Sequence, residues 1–217
     1  MSDPTCLIVR TAAPAIRFER FCAKNARRGG RIVAAQRIDA VTALEPGSAP
    51  MHVWIARFPS MMAARAAWTD VLDTSDLKDP GLPLVLAARA VPDAGFPPEM
   101  SFVPTRANVD PGPARSPTLL LIEGSASDQA RMDRYRDIIL PMMRALKSYY
   151  SVFELGGAVE VLSGDWSEAI FAISRWPSRE AALAFWNSPE YQQTAIPLRL
   201  DIGRFSVLML TGEADHE

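Results

Sequence analysis

A short run near the C-terminus places polar side chains at the predicted start of a helix. Ser188, Pro189 and Glu190 are a capping residue, a proline suited to the first helical position and an acid suited to the positive first turn. Free backbone N–H groups at a helix start favour anions, so Ser188 and Tyr191 are candidate ligand-binding residues. The alternative is that the run is simply a good helix start and that Tyr191 packs beneath it.

Two side chains that flank this run complete a candidate site. Arg199 could grip a carboxylate through its planar guanidinium group, and Trp186 would form a wall of the pocket. Alternatively, Arg199 forms a surface ion pair with Glu190 or Asp201, and Trp186 belongs to the core. The first interpretation predicts a pocket for a small organic acid.

Two further candidates lie in the N-terminal half. Arg31 follows two glycines at the start of a predicted strand, where the backbone can approach a ligand closely, although a tight turn before an exposed arginine explains the pattern better. His52 is the one histidine outside the C-terminal tail, and a histidine at a strand start can do acid–base chemistry near neutral pH. The sequence places no carboxylate or nucleophile beside it, which favours an incidental role.

Several classes of site have no support in the sequence. Cys6 and Cys22 stand outside any Cys-x-x-Cys pair and have no histidine cluster near them, so both are predicted to be core residues, with no metal site and no disulfide. No phosphate loop, nucleophile elbow or dinucleotide fingerprint is present, and we therefore predict no cofactor.

Charge and hydropathy exclude other functions. A net charge of −2 and a pI of about 5.8 argue against a nucleic-acid partner. No apolar run approaches the ~18 residues that a membrane span needs, and the N-terminus lacks the features of a secretion signal. With its cysteines predicted to be reduced, the protein is expected in the cytoplasm.

An internal repeat organises the chain. Arg57-Phe58-Pro59-Ser60 is echoed by Arg175-Trp176-Pro177-Ser178, and an alanine-rich stretch follows each copy. Pro4-Thr5 before an apolar run likewise resembles Pro117-Thr118, and Pro83-Leu84 resembles Pro197-Leu198, each predicted to open a helix. These echoes occur in the same order, so we predict a tandem duplication.

The repeat divides the chain into predicted units. Residues 1–104 form a degenerate first unit, residues 105–116 an extended linker with little apolar content, residues 117–212 a second unit and residues 213–217 a tail. The second unit has the order β-α-β-β-α-β, which is the ferredoxin-like arrangement. Within it, Pro141 is expected to kink or split the first helix.

The first unit is predicted to follow the same order less clearly. Its helix over residues 14–28 precedes strands at residues 31–38 and 52–58, a helix over residues 60–72, a helical stretch at 82–90 and a poor final strand at 100–104. Each unit would leave one apolar sheet face bare, and two units can bury these faces against each other. The predicted fold class is α+β, with two fused ferredoxin-like units forming a dimeric α+β barrel within one chain.

The motifs of the second unit resemble a known family. Trp186-Asn187-Ser188-Pro189-Glu190-Tyr191-Gln192, with Gly164-Asp165-Trp166, Trp176-Pro177-Ser178 and Arg199, is similar to the family of domains of unknown function numbered 1330. That resemblance implies single units of the dimeric α+β barrel superfamily, whose members include cofactor-free monooxygenases, lyases, isomerases and haem proteins. It implies a fold and no particular reaction.

Neither unit keeps the full family pattern. The first retains Gly29-Gly30-Arg31 of a Tyr-Gly-Gly-Arg element but has Thr74-Ser75-Asp76-Leu77 where the Ser-Pro-Glu-Tyr turn is expected. The second keeps that turn and has Tyr149-Tyr150-Ser151 in place of the glycines. The chain is therefore expected to hold one composite site at most.

Two functions remain open on the sequence alone. The first is a small-molecule-binding protein, with or without cofactor-independent enzyme activity, whose pocket between sheet and helices holds a small organic acid. The second is a non-catalytic binding or assembly module with a solid barrel core. A homodimer of the whole chain is expected under either function.

Overall fold

The computed structural model describes residues 3–12, 18–46, 48–72, 83–112, 116–156 and 158–214. The predicted start of the first helix, at residues 14–17, and the segment 74–77 lie outside this part of the chain. The strands are β1 (Thr5–Thr11), β2 (Arg31–Gln36), β3 (Thr42–Ala43), β4 (His52–Phe58), β5 (Leu84–Arg89), β6 (Thr118–Ala126), β7 (Tyr149–Leu155), β8 (Glu160–Ser163), β9 (Ile170–Trp176) and β10 (Gly203–Thr211).

Five helices accompany the strands in the described residues. They are α1 (Phe18–Arg27), α2 (Met61–Val71), α3 (Gln129–Ala145), α4 (Arg179–Trp186) and α5 (Ile196–Arg199), and a π-helical turn at Tyr191–Ala195 runs directly into α5. Serine caps begin α2 and α4: Ser60 and Ser178 each accept a hydrogen bond from the backbone N–H three residues on.

Two antiparallel five-stranded sheets form an α+β ferredoxin-like barrel. The first sheet has the order β2-β4-β1-β5-β8 and the second β3-β10-β6-β9-β7. β8 of the C-terminal half thus extends the N-terminal sheet by pairing with β5, and β3 of the N-terminal half extends the C-terminal sheet by pairing with β10. Each half therefore supplies one edge strand to the other half.

The sheets also meet beyond these exchanged strands. Val91 N–H donates to Ser151 O at 2.8 Å, just after β5, and Glu213 N–H donates to Val33 O at 2.7 Å, just after β10. These bonds occupy backbone groups at the outer edges of β7 and β2. Unpaired strand edges can pair with other chains. These hydrogen bonds therefore protect the barrel from association through its edge strands.

The core has three parts. Between the sheets lies an apolar cluster that includes Ile8, Ile55, Leu121 and Ile173, and separate clusters lie under α1–α2 and under α3–α4. Because both faces of β1 are covered, every residue from Thr5 to Thr11 is buried. Burial on both faces explains why apolar and polar residues do not alternate strictly along this strand.

The predicted end of the N-terminal unit is wrong. Residues 84–89 form the strand β5 and not a helix, and Pro98–Met100 is a 3₁₀ turn where a final strand was expected near residues 100–104. The apolar run after Pro83 is short and buried, and periodicity alone does not distinguish such a strand from a helix.

Two smaller expectations also need correction. α3 continues from Gln129 to Ala145 with Pro141 inside it, so the proline does not split the helix. The start of the predicted linker is not extended, because residues 105–108 form a turn in which Thr105 N–H donates to Asn108 Oδ1 at 2.8 Å. Val91 and Val103, further upstream, pack against the core under α3 and α4.

Candidate functional site

A cavity of about 270 Å³ lies between the C-terminal sheet and its covering helices. Most of its lining is apolar and comes from the sheet, α3 and α4, for example Leu120, Met132, Phe153, Trp176 and Phe185. An apolar cavity of ~150 Å³ can hold a benzene molecule, so this one has room for a larger ring or chain. The predicted pocket between sheet and helices therefore has a physical counterpart.

Tyr135, Tyr191 and Arg199 form a polar group in the lining. Arg199 Nη2 lies 3.4 Å from the Tyr191 hydroxyl, which lies 3.1 Å from the Tyr135 hydroxyl. The Arg199 guanidinium also stacks over the rings of Phe205, at 4.7 Å, and Tyr135, at 5.7 Å. Since arginine only donates, the Tyr191 hydroxyl proton is left for Tyr135 or for a ligand.

The partner of Arg199 comes from the other half of the chain. Arg199 Nη2 donates to Glu45 Oε1, and Glu45 lies just after β3, the strand that the N-terminal half adds to this sheet. Arg199 is only 5% exposed. The alternative of a surface ion pair with Glu190 or Asp201 is therefore wrong, because Arg199 is buried and its carboxylate partner is Glu45.

The π-helical turn positions two of these side chains. Tyr191, Ala195 and Arg199 are buried at four-residue steps, while residues 192–194 between them are exposed. Ser188 begins this segment: its hydroxyl accepts from Tyr191 N–H at 3.2 Å and donates to Phe185 O at 2.8 Å. Ser188 therefore holds the helix start, as the capping interpretation predicts, and it is outside the cavity lining. π-turns are rare and are frequently found at functional sites.

Two donors in the cavity lining have no acceptor. Nε of Arg136 and Nε of Arg199 are both buried and make no hydrogen bond within the described residues. Arg136 Nη1 forms an ion pair with Asp133 at 3.0 Å. A buried donor without a partner costs free energy, and a ligand acceptor could satisfy it.

The tyrosines of the site are suited to donating hydrogen bonds. Burial, reinforced by the neighbouring Tyr135, raises the pKa of Tyr191 well above its ordinary value, and the opposing effect of Arg199 is smaller. Burial likewise raises the pKa of Tyr150. Both remain phenols near neutral pH, so they can orient an acceptor but cannot serve as general bases there.

The ligand types among these residues determine whether the site could hold a metal ion or a haem iron. In the part of the chain that the structure describes, no group of three or more His, Cys, Asp or Glu side chains could hold a metal ion. Of the side chains that ligate haem iron, the described cavity lining contains methionines and tyrosines, among them Met132 and Tyr135, but no His or Cys. No helix among the described residues is long and apolar enough to cross a bilayer.

The structure does not bring the six predicted site residues together in one place. Trp186, Tyr191 and Arg199 line the cavity, and the Trp186 ring lies 5.1 Å from that of Tyr191. Arg31 lines a different cleft, between the two sheets. His52, at the start of β4, is buried; its Nδ1 accepts from Ile38 N–H at 3.3 Å, and it lines neither space. The single pocket expected to combine Arg31 and His52 with the other residues is not formed.

Sequence reasoning missed four of the polar and aromatic groups. Tyr135, Arg136, Phe205 and Glu45 belong to none of the motifs described above and were not among the predicted site residues. A tyrosine among the core-facing positions of α3 was the one available signal, because a buried hydroxyl needs a partner. Glu45 carried none, since its contact with Arg199 spans 154 residues.

Comparison with known proteins finds a family model that matches part of the chain. Residues 118–212 match a domain of unknown function, DUF1330. No curated protein sequence matches the chain.

Two solved structures share the fold across almost the whole chain. A mutant chlorite dismutase from Candidatus Nitrospira defluvii has a TM-score of 0.50 at 13% identity, covering 98% of this chain and 92% of its own. A dye-decolorizing protein from V. cholerae has a TM-score of 0.50 at 8% identity, covering 96% and 93%. At such identities the similarity concerns the fold alone.

Proposed function

We propose that this protein binds a small organic acid with an apolar body in the cavity between the C-terminal sheet and its helices. The observation that carries the proposal is the pair of unpartnered, buried Nε–H donors of Arg136 and Arg199 in the lining of a mostly apolar cavity. Few polar groups in a mostly apolar cavity are typical of small-molecule sites.

The charges of the site favour a ligand with a single carboxylate. Arg199 is already paired with Glu45 and Arg136 with Asp133, so the two guanidinium groups are close to neutralised. An acid with one carboxylate can accept from the free Nε–H of Arg199 or from that of Arg136 without a large excess of negative charge. A polyanion would meet Glu45 and Asp133 and be repelled.

The alternative of a module with a solid core is less well supported. An apolar cluster fills part of the space between the two sheets, as that alternative requires. The C-terminal sheet–helix layer nevertheless holds the cavity, which a purely structural module does not need. Tyr150 and Tyr191 can donate hydrogen bonds but cannot abstract protons near neutral pH, so binding alone is proposed.

A ligand screen with a steric block tests the proposal. Aromatic and branched aliphatic monocarboxylic acids should raise the melting temperature in a saturable way. Ala172 lines the cavity and is buried, so Ala172→Leu should fill the space and abolish that shift. Arg204→Gln, at an exposed arginine outside the lining, is the matched control and should keep it. Retained binding in Ala172→Leu would exclude this cavity as the site.

We further propose that the chain is a tandem duplication, with units at residues 1–104 and 117–212 joined by residues 105–116, that folds as a dimeric α+β barrel within one chain. In support, four strands follow the same order in the two sheets. The strands β1 to β5 are the first to fifth of the N-terminal half, and β6 to β10 are the first to fifth of the C-terminal half. On this count, β2-β4-β1-β5 in one sheet corresponds to β7-β9-β6-β10 in the other. The Arg-Phe-Pro-Ser and Arg-Trp-Pro-Ser repeats end the equivalent strands β4 and β9.

Assembly and location stay predictions. We propose a homodimer of the whole chain, which sedimentation equilibrium would test through the molar mass. The cytoplasmic location rests on the two cysteines, which are free thiols in the structure.

A further inference from the structure

A second and larger cleft lies at one end of the barrel, where the two sheets face each other. Its volume is about 950 Å³. The described lining carries four arginines, Arg31, Arg57, Arg106 and Arg175, against one carboxylate, that of Asp93. This cleft lining is richer in charged side chains than that of the sheet–helix cavity, which is mostly apolar.

Strand register brings three of these arginines to the same end of the barrel. Arg31 on β2 is the Cα partner of Arg57 on β4. Arg57 and Arg175 each lie two residues after an isoleucine of the inter-sheet core, Ile55 or Ile173. Residues two apart on a strand share a face, so both arginines face the space between the sheets.

The placement of Arg31 beside Arg57 is unfavourable for stability. Like charges directly opposite each other on neighbouring strands repel. The backbone before Arg31 is also tightly fitted, because a Cβ on Gly30 would lie 2.5 Å from the Phe58 ring, and Phe58 itself lines the cleft. A charged pair held in this way, against its own repulsion, is typical of a functional site.

The single carboxylate of the cleft is weakly held. Asp93 Oδ1 lies 2.9 Å from Arg57 Nη2, but the Asp93 side chain is 90% exposed, whereas that of Arg57 is 23% exposed. Exposed ion pairs of this kind are weak, so an incoming anion can take the place of Asp93. Arg57 then presents its planar fork to the anion.

We propose that this cleft binds a small molecule carrying two or more negative charges, phosphate or carboxylate groups, with Arg31 and Arg57 as the gripping residues. The cleft is separate from the sheet–helix cavity, and the proposal is independent of the monocarboxylate site.

Titration calorimetry of the full chain with pyrophosphate and with citrate, at low ionic strength, tests the proposal. At least one of the two should bind saturably, and comparison of the two affinities identifies which anion chemistry the cleft prefers. Arg31→Gln and Arg57→Gln should each weaken binding about ten-fold or more, since a charge-assisted contact is lost. Asp93→Asn should tighten it by up to about five-fold, because it removes the competing carboxylate.

The control is Arg37→Gln, at an exposed arginine that is outside the described cleft lining. It changes the net charge equally and should leave the affinity unchanged. Circular dichroism of Arg31→Gln and Arg57→Gln should match that of the parent protein. If neither anion binds saturably, or if Arg37→Gln weakens binding as much as Arg31→Gln, the proposal is overturned. Monocarboxylate binding at the other cavity should persist in Arg31→Gln, which separates the two proposals.

Discussion

At the scale of single residues, Arg199 connects the two halves of the molecule. The sequence predicted its role in a carboxylate site, and the structure places it among Tyr135, Tyr191 and Phe205 in the cavity lining. Its partner could not be predicted, because Glu45 reaches it from a loop of the other half. Local patterns in a sequence identify a side chain that can grip an anion, but they do not identify a carboxylate brought by long-range folding.

Removal of Glu45 should be costly. The variant Glu45→Gln leaves the buried Arg199 charge without its carboxylate, and breaking such a pair typically costs ~3–5 kcal/mol. Urea denaturation should show a loss of this order. The exposed pair Arg204–Glu168 supplies the control, where Arg204→Gln should cost less than ~1 kcal/mol. Equal losses at the two sites would show that Arg199 is not a buried charge.

Cys6 should give stability a dependence on alkaline pH. Burial raises the pKa of its thiol to about 11, and the nearby Arg57 and Arg31 only partly oppose this. The folded state keeps a proton that the unfolded state releases, so the contribution is full below pH ~8.5 and falls as the pH rises toward 11.

The comparison with Cys6→Ala isolates this effect. The unfolding free energy of the parent protein, relative to that of the variant, should decrease between pH 9 and 11 and stay constant from pH 6 to 8. A Cys22→Ser background avoids titration of the second cysteine. A constant difference across the alkaline range would contradict a raised pKa.

At the scale of elements, the sequence predicted most strands and helices but not the end of the first unit. The ends of β4 and β9, and the helices capped by Ser60 and Ser178, follow from the repeated motif and its serine caps. The strand β5 was mistaken for a helix because its residues are buried on both sides and Pro83 resembles a helix start. The π-helical turn at Tyr191–Ala195 was also missed, because no local residue type distinguishes it from an α-helix.

The π-turn can be tested by shortening it. Deletion of Gln193, which is exposed, should convert the turn to an α-helix and rotate Tyr191 away from Arg199. We expect the helix content to persist while the monocarboxylate thermal shift disappears. Gln193→Ala keeps the length and serves as the control, so loss of the shift in this variant would argue against a role of the turn.

At the scale of the whole molecule, an ion pair joins the two sheets. Arg10 of β1 and Glu123 of β6 form a buried pair at 2.5 Å, and Trp166 Nε1 donates to Glu123 at 3.2 Å. Under the proposed duplication the two residues would occupy equivalent positions: Arg10 lies five residues after Thr5, the partner of Phe58, and Glu123 lies five after Thr118, the partner of Trp176. Two similar halves would otherwise bring like residues together here.

The Arg10–Glu123 pair therefore predicts a non-additive mutational pattern. Arg10→Met or Glu123→Met alone should each destabilise the protein by ~3–5 kcal/mol, because a buried charge loses its partner. The double variant, with two methionines, should be close to the parent in stability or above it. Additive losses in urea denaturation would show that the two charges do not depend on each other.

The exchange of β3 and β8 between the sheets has a mechanical consequence. If a protease cut the backbone once between the halves, each fragment would still hold a strand hydrogen-bonded into the other fragment's sheet. The fragments would stay interlocked and co-migrate under native conditions, and only a denaturant that melts the barrel would release them. Covalent continuity at the junction is thus not needed to keep the folded halves together.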